Sequence, residues 1–136
     1  MKVFEYQHIV GFEETNLVGN VYYANFLLWQ GRCREMFLFE NAPDILELLA
    51  GNLALVTTKV SCEFINELFA FDEITIKMRL GYIKQNRILM LFEYWRGEEI
   101  VARGEQEVAC MIRDNGEISP TPVPSNLYSA LQDYLE

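Results

Sequence analysis

The 136-residue sequence contains little histidine and little cysteine. Its one histidine is His8, and its three cysteines, Cys33, Cys62 and Cys110, lie far apart with no C-x-x-C pair. A structural zinc site needs four nitrogen or sulfur ligands at short spacings, so the sequence predicts no metal site, and we expect no cofactor. An odd number of scattered cysteines favours buried, reduced thiols over disulfides.

Basic residues are also scarce. The chain has 11 Lys and Arg residues against 20 Asp and Glu residues, a formal net charge of −9, and its basic residues form no cluster. This balance argues against nucleic acid or a membrane surface as a partner. No apolar run is long enough to span a bilayer, and the chain does not open with a signal-peptide pattern. We therefore expect a cytoplasmic protein.

Hydrophobic periodicity divides the chain into strands and helices. A first strand is predicted at residues 3–10, a long helix at 22–40 and a short helix at 43–50. Turns are predicted at residues 96–98 and 114–116, and Ser125 is expected to cap a short final helix after a proline-rich connector. Four further strands are predicted at residues 54–65, 72–84, 87–95 and 99–113.

The long helix is apolar on most of its surface, which is typical of a helix buried inside a fold. One stripe of the helix carries six apolar residues at spacings of three and four: Tyr22, Phe26, Trp29, Cys33, Met36 and Phe37. The simplest way to bury it is a curled, five-stranded antiparallel sheet wrapped round the helix, an α+β layout known as the hotdog fold. We expect residues 1–136 to form one such domain. Because the sheet edges need partners and 51% of residues are hydrophobic, we also expect a homo-oligomer.

The segment at residues 10–38 is expected to carry the chemistry. It is predicted to contain the end of a strand, a polar loop and the start of the long helix. The first turn of a helix has unpaired backbone N–H groups, and the helix dipole favours negative charge there. The loop and helix start could therefore hold a phosphate, a carboxylate or a developing oxyanion.

This segment resembles the active-site segment of hotdog thioesterases of the 4-hydroxybenzoyl-CoA thioesterase superfamily. The matching positions are Asn16, Gly19 and the aromatic run at residues 21–26, and F-E-E-T-N-L-V-G-N-V-Y-Y followed by W-Q-G-R-C-R-E-M-F is most similar to the thioesterases of enediyne polyketide biosynthesis. The superfamily has a catalytic aspartate where this chain has Asn16, and an amide cannot act as a general base. The resemblance implies that Tyr23 N–H stabilises the oxyanion and that Asn16 orients the water or the carbonyl.

Arg34 is the third expected catalytic residue, beside Asn16 and Tyr23. It shares a helix face with Tyr23 but lies three turns further on, roughly 16 Å along the axis. It could bind a polar part of the substrate or brace the loop, as the resemblance favours, or form an ion pair with Glu35 or a loop carboxylate. The expected substrate-binding residues are Gly19, Tyr22 and Glu35.

Two loop carboxylates and the one histidine leave alternatives open. Glu13 and Glu14 could replace the missing base, although on a loop they are more typically solvated or capping groups. A hotdog dehydratase requires a histidine–carboxylate pair, and the sequence offers His8 no evident partner. His8 is therefore expected to be a packing residue.

The resemblance implies hydrolysis of a β-keto polyene thioester on the acyl carrier protein of an iterative polyketide synthase, with decarboxylation of the freed acid in the site or spontaneously. It also implies a homotetramer built as a dimer of dimers. A general acyl-CoA thioesterase and a non-catalytic acyl-binding protein remain alternatives. Carrier proteins are usually acidic, so docking would need a local basic spot on this acidic chain, for which the candidates are Lys84, Arg87, Arg96 and Arg103.

Overall fold

The computed structural model describes residues 2–136 as one antiparallel sheet and three α-helices. A single turn of 3₁₀-helix, Phe12–Glu14, lies between the first strand and the long helix. The elements in chain order are β1 (Phe4–Ile9), α1 (Ala24–Asn41), α2 (Pro43–Ala50), β2 (Leu53–Phe64), β3 (Glu73–Lys84), β4 (Arg87–Arg96), β5 (Glu99–Asp114), β6 (Glu117–Pro120) and α3 (Ser125–Gln132).

The strands pair in the order β1-β3-β4-β5-β2, and the short β6 lies beside the end of β5. All the pairs are antiparallel. Helix α1 packs against β1, β2 and β3, so it lies inside the curve of the sheet. This arrangement is the hotdog fold predicted from the sequence, and β1 and β2 are its two edges.

One face of α1 supplies much of the core. Phe26, Trp29, Cys33 and Phe37 are all buried, as their spacing predicted. The hydroxyl of Tyr94 on β4 donates to the carbonyl oxygen of Phe26 (2.8 Å), which satisfies a buried polar group and ties the helix to the middle of the sheet. Burial raises the pKa of the Cys33 thiol to about 12, so this cysteine is no nucleophile.

A side chain of helix α1 packs closely against Gly104 on β5. The side chain of Gln30 is fully buried, and its Nε2 donates to the carbonyl oxygen of Ser61 on β2 (3.0 Å). A Cβ at position 104 would lie 2.3 Å from that nitrogen and 2.8 Å from Ser61 O. The absence of a side chain at Gly104 therefore leaves the space that the Gln30 side chain needs to reach Ser61 O.

The structure corrects four details. The sheet has a sixth strand, β6, where the sequence indicated only a turn and a connector, and α1 begins at Ala24 rather than Tyr22. Ser125 is not a cap, because Pro124 occupies the N-cap position of α3 and no side chain caps it. The apolar surface of α1 is not buried all round, since Leu28 and Phe39 are exposed. None of the helices within residues 2–136 is both long and apolar enough to cross a membrane.

Candidate functional site

The loop between β1 and α1 is a small, closed hairpin. Thr15 and Val21 pair as an isolated antiparallel bridge, and Asn16 N–H donates to the carbonyl oxygen of Asn20 (2.8 Å). Gly19 N–H donates to the carbonyl oxygen of Asn16 (2.8 Å), and Gly19 has a φ of 97°, which a side chain would make strained. Gly19 is therefore needed for the turn that presents Asn16.

The Asn16 side chain is oriented by its own turn. Its Oδ1 accepts a hydrogen bond from Val18 N–H (3.2 Å), an Asx-type contact two residues along the chain. Among residues 2–136, its Nδ2 has no acceptor. Asn16 thus presents a free amide donor at the base of an exposed loop whose tip is Leu17 and Val18.

The start of α1 presents a second donor. Tyr23 is the N-cap residue, with helical φ and ψ of −56° and −32°. Asn25 N–H and Phe26 N–H are used within the first turn, donating to Tyr22 O and Tyr23 O. Tyr23 N–H donates to no other residue in the described part of the chain. The positive end of the helix dipole adds to this donor, so the position favours a developing negative charge.

An apolar pocket lies beside this helix start. It has a volume of about 230 Å³ and is walled by the Tyr23, Phe26 and Phe64 rings, with Phe26 and Phe64 in edge contact at 5.1 Å. The Tyr23 ring lies 6.4 Å from that of Phe64, also edge-on. The remaining lining residues come from the hairpin between β1 and α1 and from the loop after β2: Asn20, Val21, Ile65, Asn66, Glu67 and Leu68.

Glu14 connects the loop, β1 and α1. Its Oε1 accepts from Gly11 N–H (2.8 Å) and lies 2.7 Å from His8 Nε2, and its Oε2 accepts from Trp29 Nε1–H (2.7 Å). Burial favours the neutral carboxyl, but these three hydrogen bonds outweigh it and lower the pKa of Glu14 below 4.5. With its carboxylate fully occupied, Glu14 acts as a capping group and is not free to act as a base.

His8 is therefore not without a partner, contrary to the sequence-based expectation. The alternation of residues in a strand predicts contacts within the sheet, and it says nothing about where the loop that carries Glu14 lies relative to His8. The His8–Glu14 pair is packed under Trp29, whose ring centroid is 5.0 Å from that of His8. Neither residue lines the pocket beside Tyr23.

Arg34 lies between α1 and the sheet. Its Nη1 donates to Oε1 of the buried Gln106 on β5 (2.7 Å), and its buried Nε has no partner among residues 2–136. Burial lowers the pKa of Arg34, and the charge of Glu35 opposes this shift. The ion pair considered for Arg34 and Glu35 is wrong: Glu35 accepts from Arg32 on the exposed side of the helix (3.1 Å).

The structure thus separates the expected site residues into two groups. Asn16, Gly19, Tyr22 and Tyr23 lie together at the hairpin and helix start, where the Tyr22 and Tyr23 rings are 4.8 Å apart. Arg34 is half-buried three turns away along α1, and Glu35 points out from the helix.

The sequence reasoning missed several residues at the site. It did not identify the pocket residues at the end of β2 and on the loop after it, residues 64–68, because their proximity to the helix start depends on sheet topology. It also missed Gln106 as the partner of Arg34. One signal for the Glu14 contacts was available in the sequence, the Gly11-x-x-Glu14 spacing. In a capping box, the side chain of the third helical residue accepts a hydrogen bond from the backbone N–H of the residue before the helix.

A curled sheet round one helix, with an unpaired backbone donor and an amide side chain at the helix start, defines a hotdog thioesterase. Residues 10–131 match the model of the thioesterase-like superfamily, and the chain belongs to this superfamily. The protein is therefore a thioester hydrolase. No curated protein sequence matches significantly.

Solved structures of other thioesterases are similar over nearly the whole chain. The dynemicin thioesterase, whose crystal structures show induced-fit and allosteric effects upon polyene binding, is 43% identical, with a TM-score of 0.96 over 99% of each chain. The 1,4-dihydroxy-2-naphthoyl-CoA thioesterase from Synechocystis is 20% identical, with a TM-score of 0.85 over 97% of each chain. A gentisyl-coenzyme A thioesterase is 21% identical, with a TM-score of 0.82 over 96% of this chain and 99% of its own. The last two similarities concern the fold alone.

Proposed function

We propose that this thioesterase releases a β-keto polyene from the phosphopantetheine arm of an acyl carrier protein, as part of an iterative enediyne-type polyketide synthase system. The observation that carries the proposal is the unpaired Tyr23 N–H at the edge of an aromatic pocket, with the free amide of Asn16 on the adjoining hairpin. The similarity to the dynemicin thioesterase supports the polyketide setting.

The proposed reaction needs no catalytic carboxylate. Water attacks the thioester carbonyl carbon, and the developing oxyanion accepts a hydrogen bond from Tyr23 N–H. Asn16 donates from Nδ2 to orient the carbonyl or the water. The carbon–sulfur bond then breaks, and the proton released by the water goes to the departing sulfur. A thiol is a good leaving group, so stabilising the oxyanion can be the largest catalytic contribution.

The proposed substrate follows from the character of the pocket. The Tyr23, Phe26 and Phe64 rings give the pocket an aromatic wall, and such a wall suits a conjugated acyl chain. A β-keto acid released there can lose CO₂, in the site or after leaving it. The volume of about 230 Å³ is below the roughly 300–1,000 Å³ typical of ligand pockets, so one chain supplies only part of the site.

A second copy is proposed to complete the site. Strand β2 is an unpaired sheet edge within residues 2–136, and it exposes Val56, Val60 and Phe64. Phe64 also walls the pocket, so a copy docked along this edge would lie next to the substrate. We place the protein in the cytoplasm as a homotetramer, a dimer of dimers of the 1–136 hotdog domain.

Arg34 is proposed to act deeper in the fold than the thioester. The Nη1 of Arg34 is occupied by Gln106. Its Nε has no partner among residues 2–136 and is proposed to donate to a polar group of the acyl substrate or to an ordered water. Glu35, Tyr22 and Gly19 are proposed to contribute to substrate binding, with Gly19 acting through the turn that presents Asn16.

We propose that a carrier protein docks on this chain without a basic patch. The candidate arginines are engaged by carboxylates: Arg87 by Glu107 (2.9 Å), Arg96 by Asp72 and Glu99 (2.8 and 2.7 Å), and Arg103 more loosely by Glu63 (3.9 Å). The exposed apolar residues at the mouth of the site are better suited to this contact, especially Leu17 and Val18 on the hairpin tip.

The test is chain release from a polyene-loaded polyketide synthase by the wild-type protein, Asn16→Ala and Arg34→Ala. We expect release by the wild type and a loss of about tenfold or more in each variant, in line with the removal of a donor from the site. Matched controls are the exposed Asn52→Ala and Arg113→Ala, which should behave as the wild type.

The other outcomes discriminate between functions. Full activity of both variants would refute the roles of Asn16 and Arg34. Rapid turnover of ordinary fatty acyl-CoA, with no preference for the carrier-bound chain, would favour a general acyl-CoA thioesterase. Binding of the polyene without any release would favour a non-catalytic acyl-binding protein.

A further inference from the structure

We infer that Glu14 is the positioning residue of the oxyanion site: it fixes the helix start, and therefore Tyr23 N–H, relative to β1 and the hairpin. The inference rests on the proposed function, and it adds a residue that touches neither substrate nor reacting atoms. Three observations carry it: the contacts of the carboxylate, the contacts of the backbone carbonyl of the same residue, and the position of Tyr23 directly beside them.

The Glu14 carboxylate joins three separate elements. It accepts from Gly11 in the loop, from Trp29 on α1 and from His8 on β1, all at 2.7–2.8 Å. It is only 17% exposed, so water competes weakly for these contacts. Charge-assisted hydrogen bonds of this kind are the stronger ones in proteins.

The backbone carbonyl of Glu14 holds the helix start itself. It accepts from Tyr22 N–H (3.0 Å) and from Asn25 Nδ2 (2.7 Å), which lie on either side of Tyr23. Glu14 thus contacts α1 twice: its side chain binds Trp29, and its backbone carbonyl binds the residues at the helix start. Tyr23 N–H and the following Ala24 N–H have no acceptor among residues 2–136, and the direction of Tyr23 N–H is set by these neighbouring contacts.

A carboxylate is required at position 14 because all three partners are donors. A glutamine side chain at this position would have one acceptor oxygen and one NH₂ group. In either orientation of that amide, the NH₂ group would face Trp29 Nε1–H or Gly11 N–H, and one contact would be lost. Glu13 provides a matched control, since its side chain is exposed and makes no hydrogen bond within the described chain.

The kinetic test compares Glu14→Gln with Glu13→Gln on an acyl thioester substrate. A misplacement of about 1 Å in a reacting group can reduce the rate about 100-fold, so we expect kcat to fall about tenfold or more in Glu14→Gln. KM should stay within about twofold, because the donor acts mainly in the transition state. Glu13→Gln should match the wild type. If Glu14→Gln does not fold, Trp29→Phe removes one donor to the carboxylate and is judged by the same criterion.

A second readout does not depend on activity. The amide ¹H–¹⁵N signal of Tyr23 should shift with pH in the wild type as Glu14 is protonated, at a pH below the usual range of a glutamate because the pKa of Glu14 is lowered, and this transition should be lost in Glu14→Gln. The other titratable groups near the carboxylate are His8 on β1 and Glu13 in the loop. Glu13→Gln controls for the second, and Glu14→Gln, which retains His8, controls for the first.

The two readouts separate the possible failures. A kcat within about threefold of wild type in the folded Glu14→Gln variant, or an unchanged Tyr23 titration, would overturn the inference. A wild-type protein that hydrolyses no thioester would overturn the proposed function, and the titration would still decide the role of Glu14.

Discussion

Replacing Tyr23 with proline is expected to lower kcat for thioester hydrolysis about 100- to 1,000-fold, the usual effect of removing one oxyanion donor. Proline has no N–H, and its φ of about −65° is close to the φ of −56° at Tyr23. The N-cap N–H is not part of the helix hydrogen-bond ladder, so the substitution removes the proposed donor with little effect on α1. Steady-state kinetics on a carrier-bound or coenzyme A thioester measure the effect.

The control for this variant is Tyr23→Ala, which loses the ring but keeps the N–H. We expect it to lose less than about tenfold, or about 1.4 kcal/mol of transition-state stabilisation, because the Tyr23 ring is largely exposed and forms only one wall of the pocket. Thermal melting should show both variants folded. A folded Tyr23→Pro variant that retains wild-type kcat would show that the oxyanion is stabilised elsewhere.

Replacing Phe37 with alanine is expected to lower the free energy of unfolding by about 3–5 kcal/mol. Phe37 is 1% exposed, and its ring makes edge contacts with Phe4 on β1 (5.4 Å) and with Tyr134 after α3 (5.2 Å). Removing it leaves a cavity where α1 meets both ends of the chain. Chemical denaturation followed by fluorescence or circular dichroism gives the value.

Phe39→Ala is the matched control on the same helix. The chemical change and the gain in helix propensity are the same, but Phe39 is 63% exposed. We expect its effect on the unfolding free energy to stay within about 0.5 kcal/mol. Equal losses in the two variants would mean that the outer face of α1 is also covered, for example by another subunit.

The fold could be read from the sequence because its signals are local. Strict alternation predicted β3 at residues 72–84, and Pro43 and Gly51 marked the ends of α2 to the residue. Strand β6 was missed since it has only four residues, all exposed, and includes Pro120, so it has no buried face to create a pattern. The start of α1 was placed two residues early because Tyr22 and Tyr23 continue its apolar stripe in sequence, although their rings lie outside the core.

The site was only partly predictable, for a different reason. Asn16, Gly19 and Tyr23 lie in one contiguous segment, so a resemblance over that segment could identify them together. The partners of Arg34 and His8 could not be found in this way. Gln106 is 72 residues from Arg34, and the choice between Glu35 and Gln106 depends on which face of α1 meets the sheet. Helical spacing did carry a signal for Glu35, since Arg32 lies three residues before it on the same helix face and the adjacent Arg34 does not.

The exposed edge of β2 links the proposed site to protein concentration. If copies pair along this edge, assembly contributes to the free energy of folding by mass action, and dilution removes that contribution. Phe64 lies on the edge and also walls the pocket, so a dissociated chain would lose part of its pocket before it lost its fold. Specific activity per chain would then fall on dilution while the spectroscopic signal of the folded sheet stayed constant.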